Sequence, residues 1–201
     1  GIIGAGAIGL EMAQIFADFG AQVVTLEARD RPLLEVETEI AKNLAELLAR
    51  KQSNLKLITS AKIDKISGKS GAMAIAYSDA SGKKATFKCD YVLMATGKRP
   101  VLEPLALDKA GVKSDKGVVT VDRQCRTNVP HIFAVGDVNG GYMLAHTAGH
   151  QGRVSAATML GEKAEYNQDK DCGVIFTRPQ AAFLGLSVEQ AKAKGIDAVE
   201  V

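Results

Sequence analysis

Three glycines near the beginning of the chain, Gly4, Gly6 and Gly9, have the spacing G-x-G-x-x-G. An apolar stretch precedes them and a helical pattern follows, which is the context in which this motif binds the pyrophosphate of a dinucleotide. The first glycine permits a tight turn, the second lets the backbone approach the phosphates, and the third lets the helix pack closely on the strand. The helix N-terminus adds free N–H groups and the positive end of its dipole. The predicted binding segment is Gly4, Ala5, Gly6, Ala7, Ile8 and Gly9.

A carboxylate follows the next apolar strand. Glu27 comes directly after Val23–Leu26 and 18 residues after Gly9. An acid at this place accepts hydrogen bonds from the ribose hydroxyls of NAD and repels the 2′-phosphate of NADP. Arg29 and Arg31 lie close behind it and could hold that phosphate instead. The sequence therefore favours NAD, with NADP as the alternative.

The hydrophobic pattern predicts the elements that position these residues. One face of a first helix carries Ile8, Met12, Ile15, Phe16 and Phe19. A second helix has Thr38 as its N-cap and a buried face of Ile40, Leu44, Leu47 and Leu48. A third strand is predicted over 55–59. The order β-α-β-α-β requires right-handed crossovers and a parallel sheet of the Rossmann type.

The pattern changes after this unit. Short strands at 72–77 and 85–89 surround a glycine-containing loop, and an apolar strand follows at 91–95, so a β-meander is inserted. An apolar strand at 131–135 ends at Gly136 and Asp137, where an acid is well placed for a ligand hydroxyl. A helix then begins near Ala145. The last unit contains a strand at 173–177, an apolar stretch at 182–186 and a helix that starts with a capping box at Ser187.

Composition excludes several classes of protein. The chain has 201 residues, 46% of them hydrophobic, and a formal net charge of +2. That balance gives no support for a nucleic acid or an anionic membrane as partner, and no apolar run approaches the ~18 residues of a membrane span. The three widely spaced cysteines form no C-x-x-C pair, so neither a metal site nor a redox dithiol is predicted. Reduced thiols in a cytoplasmic protein are expected.

Several segments together resemble the pyridine-nucleotide disulfide oxidoreductases, and most of all the dihydrolipoamide dehydrogenases among them. The run ending in Gly136-Asp137 is the most specific of these segments. The matching segments are residues 4–11 with Glu27, 95–100, 127–137, 143–146, 176–179 and 185–187.

The resemblance implies a division into three parts. Residues 1–97 resemble the NAD-binding domain, 98–170 the returning part of the FAD-binding domain, and 171–201 the start of an α+β dimerisation domain. It also implies that Asp137 binds the FAD ribitol and that Met143, Leu144, Ala145 and His146 line the flavin ring. Glu11 would lie near the nicotinamide, Ala61 near the adenosine, and Gly97 against NAD.

The implied activity is electron transfer from a dithiol such as dihydrolipoamide, through FAD, to NAD in a homodimer. The family's first FAD motif and redox cysteine pair would precede Gly1, and its catalytic histidine would follow Val201, so a fragment of a longer protein is expected. No residue of the chain is therefore predicted to be catalytic. An NADP-dependent relative similar to glutathione or mercuric reductases, or a nucleotide-binding module without turnover, are the alternatives.

Overall fold

The computed structural model describes residues 1–199, which form two compact units. Unit 1 combines Gly1–Gly97 with the chain from Val174 onward, and unit 2 is Lys98–Gly173. No helix of these described residues is long and apolar enough to cross a lipid bilayer. The division into three domains stays a prediction.

Strands and helices alternate as far as the third strand, and after it several strands follow one another with no α-helix between them. The strands are β1 (Ile2–Ile3), β2 (Val23–Leu26), β3 (Leu55–Ile58), β4 (Lys62–Lys69), β5 (Ala72–Ser78), β6 (Lys84–Cys89), β7 (Leu93–Met94), β8 (Ser114–Asp115), β9 (Val118–Val119), β10 (Cys172–Ile175) and β11 (Ala181–Leu184). The α-helices are α1 (Ala7–Asp18), α2 (Thr38–Lys51), α3 (Ala145–Met159) and α4 (Val188–Ala193).

A four-stranded parallel sheet lies at the centre of unit 1, with the strand order β3-β2-β1-β7. Ile2 pairs with Thr25 on one side and with Leu93 on the other. All the carboxyl ends of these strands therefore meet at one edge, which is where ligands bind in open parallel sheets. The predicted parallel α/β sheet is confirmed.

Helix α1 forms where the sequence predicts it, but its apolar face is not the face that packs on the sheet. Leu10, Ala13 and Ala17 are buried. Ile8, Ile15, Phe16 and Phe19 are exposed, Phe19 by 83%. Met12 alone of the predicted stripe packs on the core among the described residues. The other four stay exposed because the helix lies close to the sheet through small residues, which a count of large apolar residues overlooks.

Helix α2 begins one residue earlier than predicted. Glu37 is its N-cap and Thr38 is its first residue, whose hydroxyl donates to Glu189 Oε1 at 2.8 Å. The Thr38 cap is therefore wrong, because this hydroxyl has a partner on another element. Leu44 and Leu48 are buried as predicted, whereas Ile40 is exposed.

The predicted β-meander is confirmed as the antiparallel sheet β4-β5-β6. Its second turn is closed by Asp79, whose Oδ1 accepts from the backbone N–H groups of Ser81 and Lys83 at 2.9 and 3.1 Å. Ile75 of β5 packs into a core cluster with Ile3 and Leu26. The meander is thereby fixed to the parallel sheet.

The chain from Val174 onward completes the core of unit 1. Strands β10 and β11 pair, and α4 starts with the predicted capping box of Ser187 and Gln190. Ile175 and Ala181 lie in the same buried cluster as Leu10 and Leu44. This segment therefore shares a hydrophobic core with α1 and α2.

Unit 2 is built around helix α3, the antiparallel pair β8-β9 and a 3-10 turn at Gly136–Asn139. The strand predicted at 131–135 is wrong. This segment forms one isolated bridge, between Phe133 and Arg126, which is flanked by the backbone bonds Thr127 N to Ile132 O and Ala134 N to Cys125 O, so it is not a strand. The buried face of α3 carries Thr147, Gln151, Val154 and Ser155.

Candidate functional site

The three glycines of the motif have three different surroundings. Gly4 has a positive φ of +101°, and a Cβ there would overlap the Ala95 carbonyl. A Cβ on Gly9 would overlap the Gly4 carbonyl, so helix and turn are in direct backbone contact. A Cβ on Gly6 would meet nothing within 4 Å. The first and third glycines are thus required by the fold, whereas the backbone at Gly6 faces open space that a ligand can enter.

The N-terminus of α1 opens toward that space. Gly6 is the N-cap, and no side chain of the described residues caps it. The first backbone bond of the helix runs from Leu10 N to Gly6 O at 3.0 Å. The N–H groups of Ala7, Ile8 and Gly9 precede that bond, so they have no carbonyl partner inside the helix and suit a phosphate.

Glu27 lies at the end of β2 and is held by two backbone donors. Its Oε2 accepts from Ala5 N at 2.7 Å and its Oε1 from Arg29 N at 2.8 Å. Each carboxylate oxygen has a second lone pair available for a ribose hydroxyl. The acid is therefore fixed beside the glycine turn, as the motif predicts.

The two arginines behind Glu27 differ. The side chain of Arg31 is only 14% exposed and donates to the carbonyls of Leu33 and Val36 at 2.9 and 3.2 Å. It also pairs with Glu189 at 3.4 Å. Arg29 is exposed. Arg31 thus bonds to carbonyls of its own loop. Of the two arginines, only Arg29 has the exposure that a 2′-phosphate ligand requires.

A cavity of about 540 Å³ lies at the same edge of the sheet. Its walls are mostly apolar, and Ala61, the predicted adenosine contact, is part of them. Ala61 is connected to the ribose acid because its N–H donates to the Glu27 carbonyl at 2.8 Å. An apolar pocket beside an acid fits an adenine ring and its ribose. The lining residues are Ile3, Ala28, Ser60, Ala61, Lys62, Ile63, Ile66, Met94 and Thr96.

Glu11 is oriented by the chain from Val174 onward. Its Oε1 accepts from Phe176 N at 2.8 Å. One turn later, Gln14 Oε1 accepts from Arg178 N at 2.7 Å, and Arg178 also pairs with Asp18. These contacts occupy one oxygen of Glu11 and hold its carboxylate at the surface of α1.

Gly97, the last residue of the first segment of unit 1, has a positive φ of +111°.

Asp137 lies in the 3-10 turn of unit 2, and its side chain is 51% exposed. Lys98 Nζ is 3.1 Å from Asp137 Oδ2 and donates to the Met143 carbonyl at 2.6 Å. The structure therefore brings together the two segments that the resemblance assigns to the flavin. The lysine that joins them was not predicted as a site residue.

The other predicted flavin residues lie at the start of α3. Leu144 is its N-cap and has no side-chain cap among the described residues, and Ala145 and His146 form its first turn. The His146 ring shares a hydrogen bond with the Cys172 carbonyl, with 2.6 Å between Nε2 and O. An open helix N-terminus favours partial negative charge, such as the pyrimidine edge of a flavin carries.

A polar cluster supports α3 from behind. The Tyr166 hydroxyl donates to Asp171 Oδ2 at 3.0 Å, and His150 Nδ1 is 3.6 Å from Asp171 Oδ1. Burial raises the pKa of Asp171, but the Thr147 and Tyr166 hydroxyls together with His150 bring it below its usual value. Burial, followed by the bond to Asp171, raises the pKa of Tyr166 to about 12.

Gln151 is a second polar residue that sequence reasoning missed. It is 3% exposed, and its Oε1 accepts from Gly136 N at 2.7 Å and from Asn139 Nδ2 at 3.0 Å. The signal was present in the spacing, because Gln151 falls four residues after Thr147 and three before Val154, on the buried stripe of α3.

Fold and site together define a nucleotide-binding part of a flavoprotein. The sequence profile of the pyridine nucleotide-disulphide oxidoreductase family matches residues 1–152, and the chain belongs to that family. It is 35% identical to dihydrolipoyl dehydrogenase of Bacillus subtilis (strain 168) over 98% of its length and 34% identical to that of Geobacillus stearothermophilus over the same share.

Solved structures agree with this assignment. The chain is similar to LpdA from Mycobacterium tuberculosis, with a TM-score of 0.81 and 26% identity over 96% of the chain. It is also similar to the HOCl-induced flavoprotein disulfide reductase RclA from Escherichia coli, with a TM-score of 0.82 and 29% identity over 98% of the chain. The chain spans 42% of the length of the two dihydrolipoyl dehydrogenases, 41% of LpdA and 44% of RclA.

Proposed function

We propose that this chain supplies the NAD-binding region and part of the FAD-binding region of a dihydrolipoyl-dehydrogenase-like enzyme. Such an enzyme passes electrons from a dithiol through FAD to NAD. The family assignment supports this proposal, as does the name of the relatives that match nearly the whole chain. The cytoplasmic location and the homodimer that the resemblance implies stay predictions.

The residues of the chain have binding and orienting roles in this proposal. FAD supplies the two-electron chemistry and NAD the hydride acceptor, as redox cofactors do in general. The open backbone at Gly6 and the first turn of α1 bind the NAD pyrophosphate, and Glu27 accepts hydrogen bonds from the ribose hydroxyls. Glu11 lies along α1 toward the nicotinamide, and Ala61 and Gly97 contact the rest of NAD.

Unit 2 has the corresponding role for the flavin. Asp137 accepts a ribitol hydroxyl, while Met143, Leu144, Ala145 and His146 present the helix N-terminus to the flavin ring. Lys98 neutralises Asp137 and connects it to the Met143 carbonyl, because its Nζ lies 3.1 Å from Asp137 Oδ2 and 2.6 Å from the Met143 oxygen. In this proposal 1–97 is the NAD domain, 98–170 belongs to the FAD domain, and residues from 171 begin the dimerisation domain.

The observation that carries the preference for NAD is the fixed carboxylate of Glu27, with backbone donors at 2.7 and 2.8 Å. NAD and NADP are titrated calorimetrically against the 201-residue chain, with the variants Glu27→Ala and Glu27→Gln. We expect the wild type to bind NAD at least ~10-fold more tightly than NADP, because the carboxylate repels the 2′-phosphate. Both variants should lose most of this ratio.

The exposed Glu35 provides a matched control, since Glu35→Ala removes one negative charge from the same loop region without touching the turn. That variant should keep the NAD preference. Tighter binding of NADP than of NAD by the wild type would contradict the proposal and favour the NADP-dependent alternative, with Arg29 as the phosphate ligand.

A further inference from the structure

The turn that presents Asp137 is held from behind by a buried amide. Gly136 N donates to Gln151 Oε1 at 2.7 Å, and this bond is buried. Gly136 has a positive φ of +77°, and a Cβ there would lie 3.1 Å from the Ala148 Cβ of α3. The turn therefore lies directly on the helix, and its conformation depends on a hydrogen bond to that helix.

Asn139, at the other end of the turn, completes the arrangement. Its Nδ2 donates to Gln151 Oε1 at 3.0 Å and to the Ala134 carbonyl at 2.8 Å. Gln151 Oε1 thus accepts a hydrogen bond from each end of the four-residue turn at 136–139. Asp137 lies between these two anchors and projects outward, with half of its side chain exposed.

The same amide is connected to the rear of α3. Burial and Asp171 raise the pKa of the Tyr166 hydroxyl overall, although the Gln151 amide lowers it, and this hydroxyl donates to Asp171 Oδ2 at 3.0 Å. The buried Gln151 amide has a single favourable orientation, because a flipped amide would leave the Gly136 N–H without an acceptor.

We propose that Gln151 is a positioning residue for the flavin site, which sets the orientation of the Asp137 carboxylate through Gly136 and Asn139. The inference rests on the proposed role of Asp137 toward the FAD ribitol. Gln151 itself lies behind the turn and does not contact the cofactor. Its effect on flavin affinity is therefore transmitted entirely through the turn that carries Asp137.

The first test needs no flavin. Amide hydrogen exchange at Gly136 is measured by NMR in the 201-residue chain for the wild type, Gln151→Met and Gln151→Glu. We expect Met, which has the same length but no acceptor, to lower the protection of Gly136 at least ~10-fold, since a buried hydrogen bond is lost. Glu keeps an acceptor oxygen and should restore most of the protection.

Thr158→Ala is the matched control on the same helix, because the Thr158 hydroxyl donates to the Val154 carbonyl of its own helix at 2.9 Å. It should leave Gly136 protected. Asn139→Ala removes the second donor and provides a variant outside the helix if Gln151→Met does not fold. Unchanged Gly136 protection in folded Gln151→Met, or loss of protection in Thr158→Ala alone, would overturn the proposal.

The second test uses the complete gene product loaded with FAD. Gln151→Met and Asn139→Ala should each weaken FAD binding about 10-fold, and neither should weaken it further in an Asp137→Ala background, since residues that act as one unit are not additive. If each variant loses as much FAD affinity in the Asp137→Ala background as in the wild type, Gln151 has a general structural role and the proposal is overturned. If the wild-type protein holds no FAD, the proposed function is contradicted. The exchange experiment needs no flavin, so it still tests the role of Gln151 separately.

Discussion

Lys98 Nζ lies 3.1 Å from Asp137 Oδ2, although these residues are 39 positions apart in the chain. The same ammonium donates to the Met143 carbonyl, so one side chain connects both segments that are predicted to contact the flavin. An exposed ion pair alone contributes little to stability. The importance of Lys98 is therefore in arranging the two segments.

We predict that Lys98→Met leaves the fold intact, with a change in free energy of unfolding of no more than about 1 kcal/mol, since the pair is exposed. FAD affinity of the complete gene product should fall about 3–10-fold, corresponding to the ~1 kcal/mol expected of one lost hydrogen bond. Lys98→Arg is the control and should retain most of the affinity. A loss of stability equal to the loss in binding would contradict this role.

The glycines of the first turn should separate folding from binding. Gly6→Val introduces a side chain into open space, so the thermal midpoint should remain close to that of the wild type while NAD binding falls at least ~100-fold for want of room for the pyrophosphate. Gly9→Ala places a methyl group against the Gly4 carbonyl, and should cost about 1–3 kcal/mol of stability. Circular dichroism and NAD titration distinguish the two. NAD binding retained in folded Gly6→Val would show that Gly6 has only a packing role.

Arg31 should prove structural. Arg31→Met removes hydrogen bonds to the carbonyls of the 32–36 loop, so the free energy of unfolding should fall by about 1–3 kcal/mol. The ratio of NAD to NADP affinity should not change. Arg29→Met is the matched control, with no loss of stability. A selective loss of NADP binding in Arg31→Met would instead identify it as a phosphate ligand.

Asp171 should make the stability of unit 2 sensitive to acid. Its pKa is lower in the folded protein than its usual value, so its stabilisation is complete above about pH 4 and is lost as the pH falls through the lowered pKa. Asp171→Asn should therefore be less stable at pH 7, by about 1–3 kcal/mol for lost charge-assisted hydrogen bonds. The difference in free energy of unfolding between the wild type and Asp171→Asn should become smaller toward pH 3.

Urea unfolding at several pH values, followed by tyrosine fluorescence, measures this difference. The exposed Asp169 provides a control for the loss of one negative charge, since Asp169→Asn removes a surface carboxylate from the same unit. A constant difference between wild type and Asp171→Asn across the whole range would contradict the linkage.

The parallel sheet and the meander could be predicted because their information is local. Apolar runs of four or five residues and turn residues such as Asp79 fix the strands without knowledge of the rest of the chain. Glu27 was predictable for the same reason, since its place after β2 puts it beside the glycine turn wherever the sheet forms.

The burial of α1 could not be predicted in the same way. Its packed face uses Gly9, Ala13 and Ala17, which a hydrophobic pattern hardly registers, while Phe16 and Phe19 point away from the sheet. The contacts of Lys98 and Glu11 were equally inaccessible, because each joins segments that are distant in sequence. For Gln151 the spacing indicates burial, but not the partners. Periodicity identifies that a helix exists, but side-chain partners across the fold depend on tertiary packing.

The shared core of Leu10, Leu44, Ile175 and Ala181 has a consequence for biosynthesis. The ribosome makes the glycine motif before unit 2, but the residues that close this core emerge only after all of unit 2 has been synthesised. Until then, the apolar surface of α1 and α2 that Ile175 and Ala181 cover stays open to chaperones and to other nascent chains. The dinucleotide-binding unit therefore begins to form before unit 2 and is completed only after unit 2.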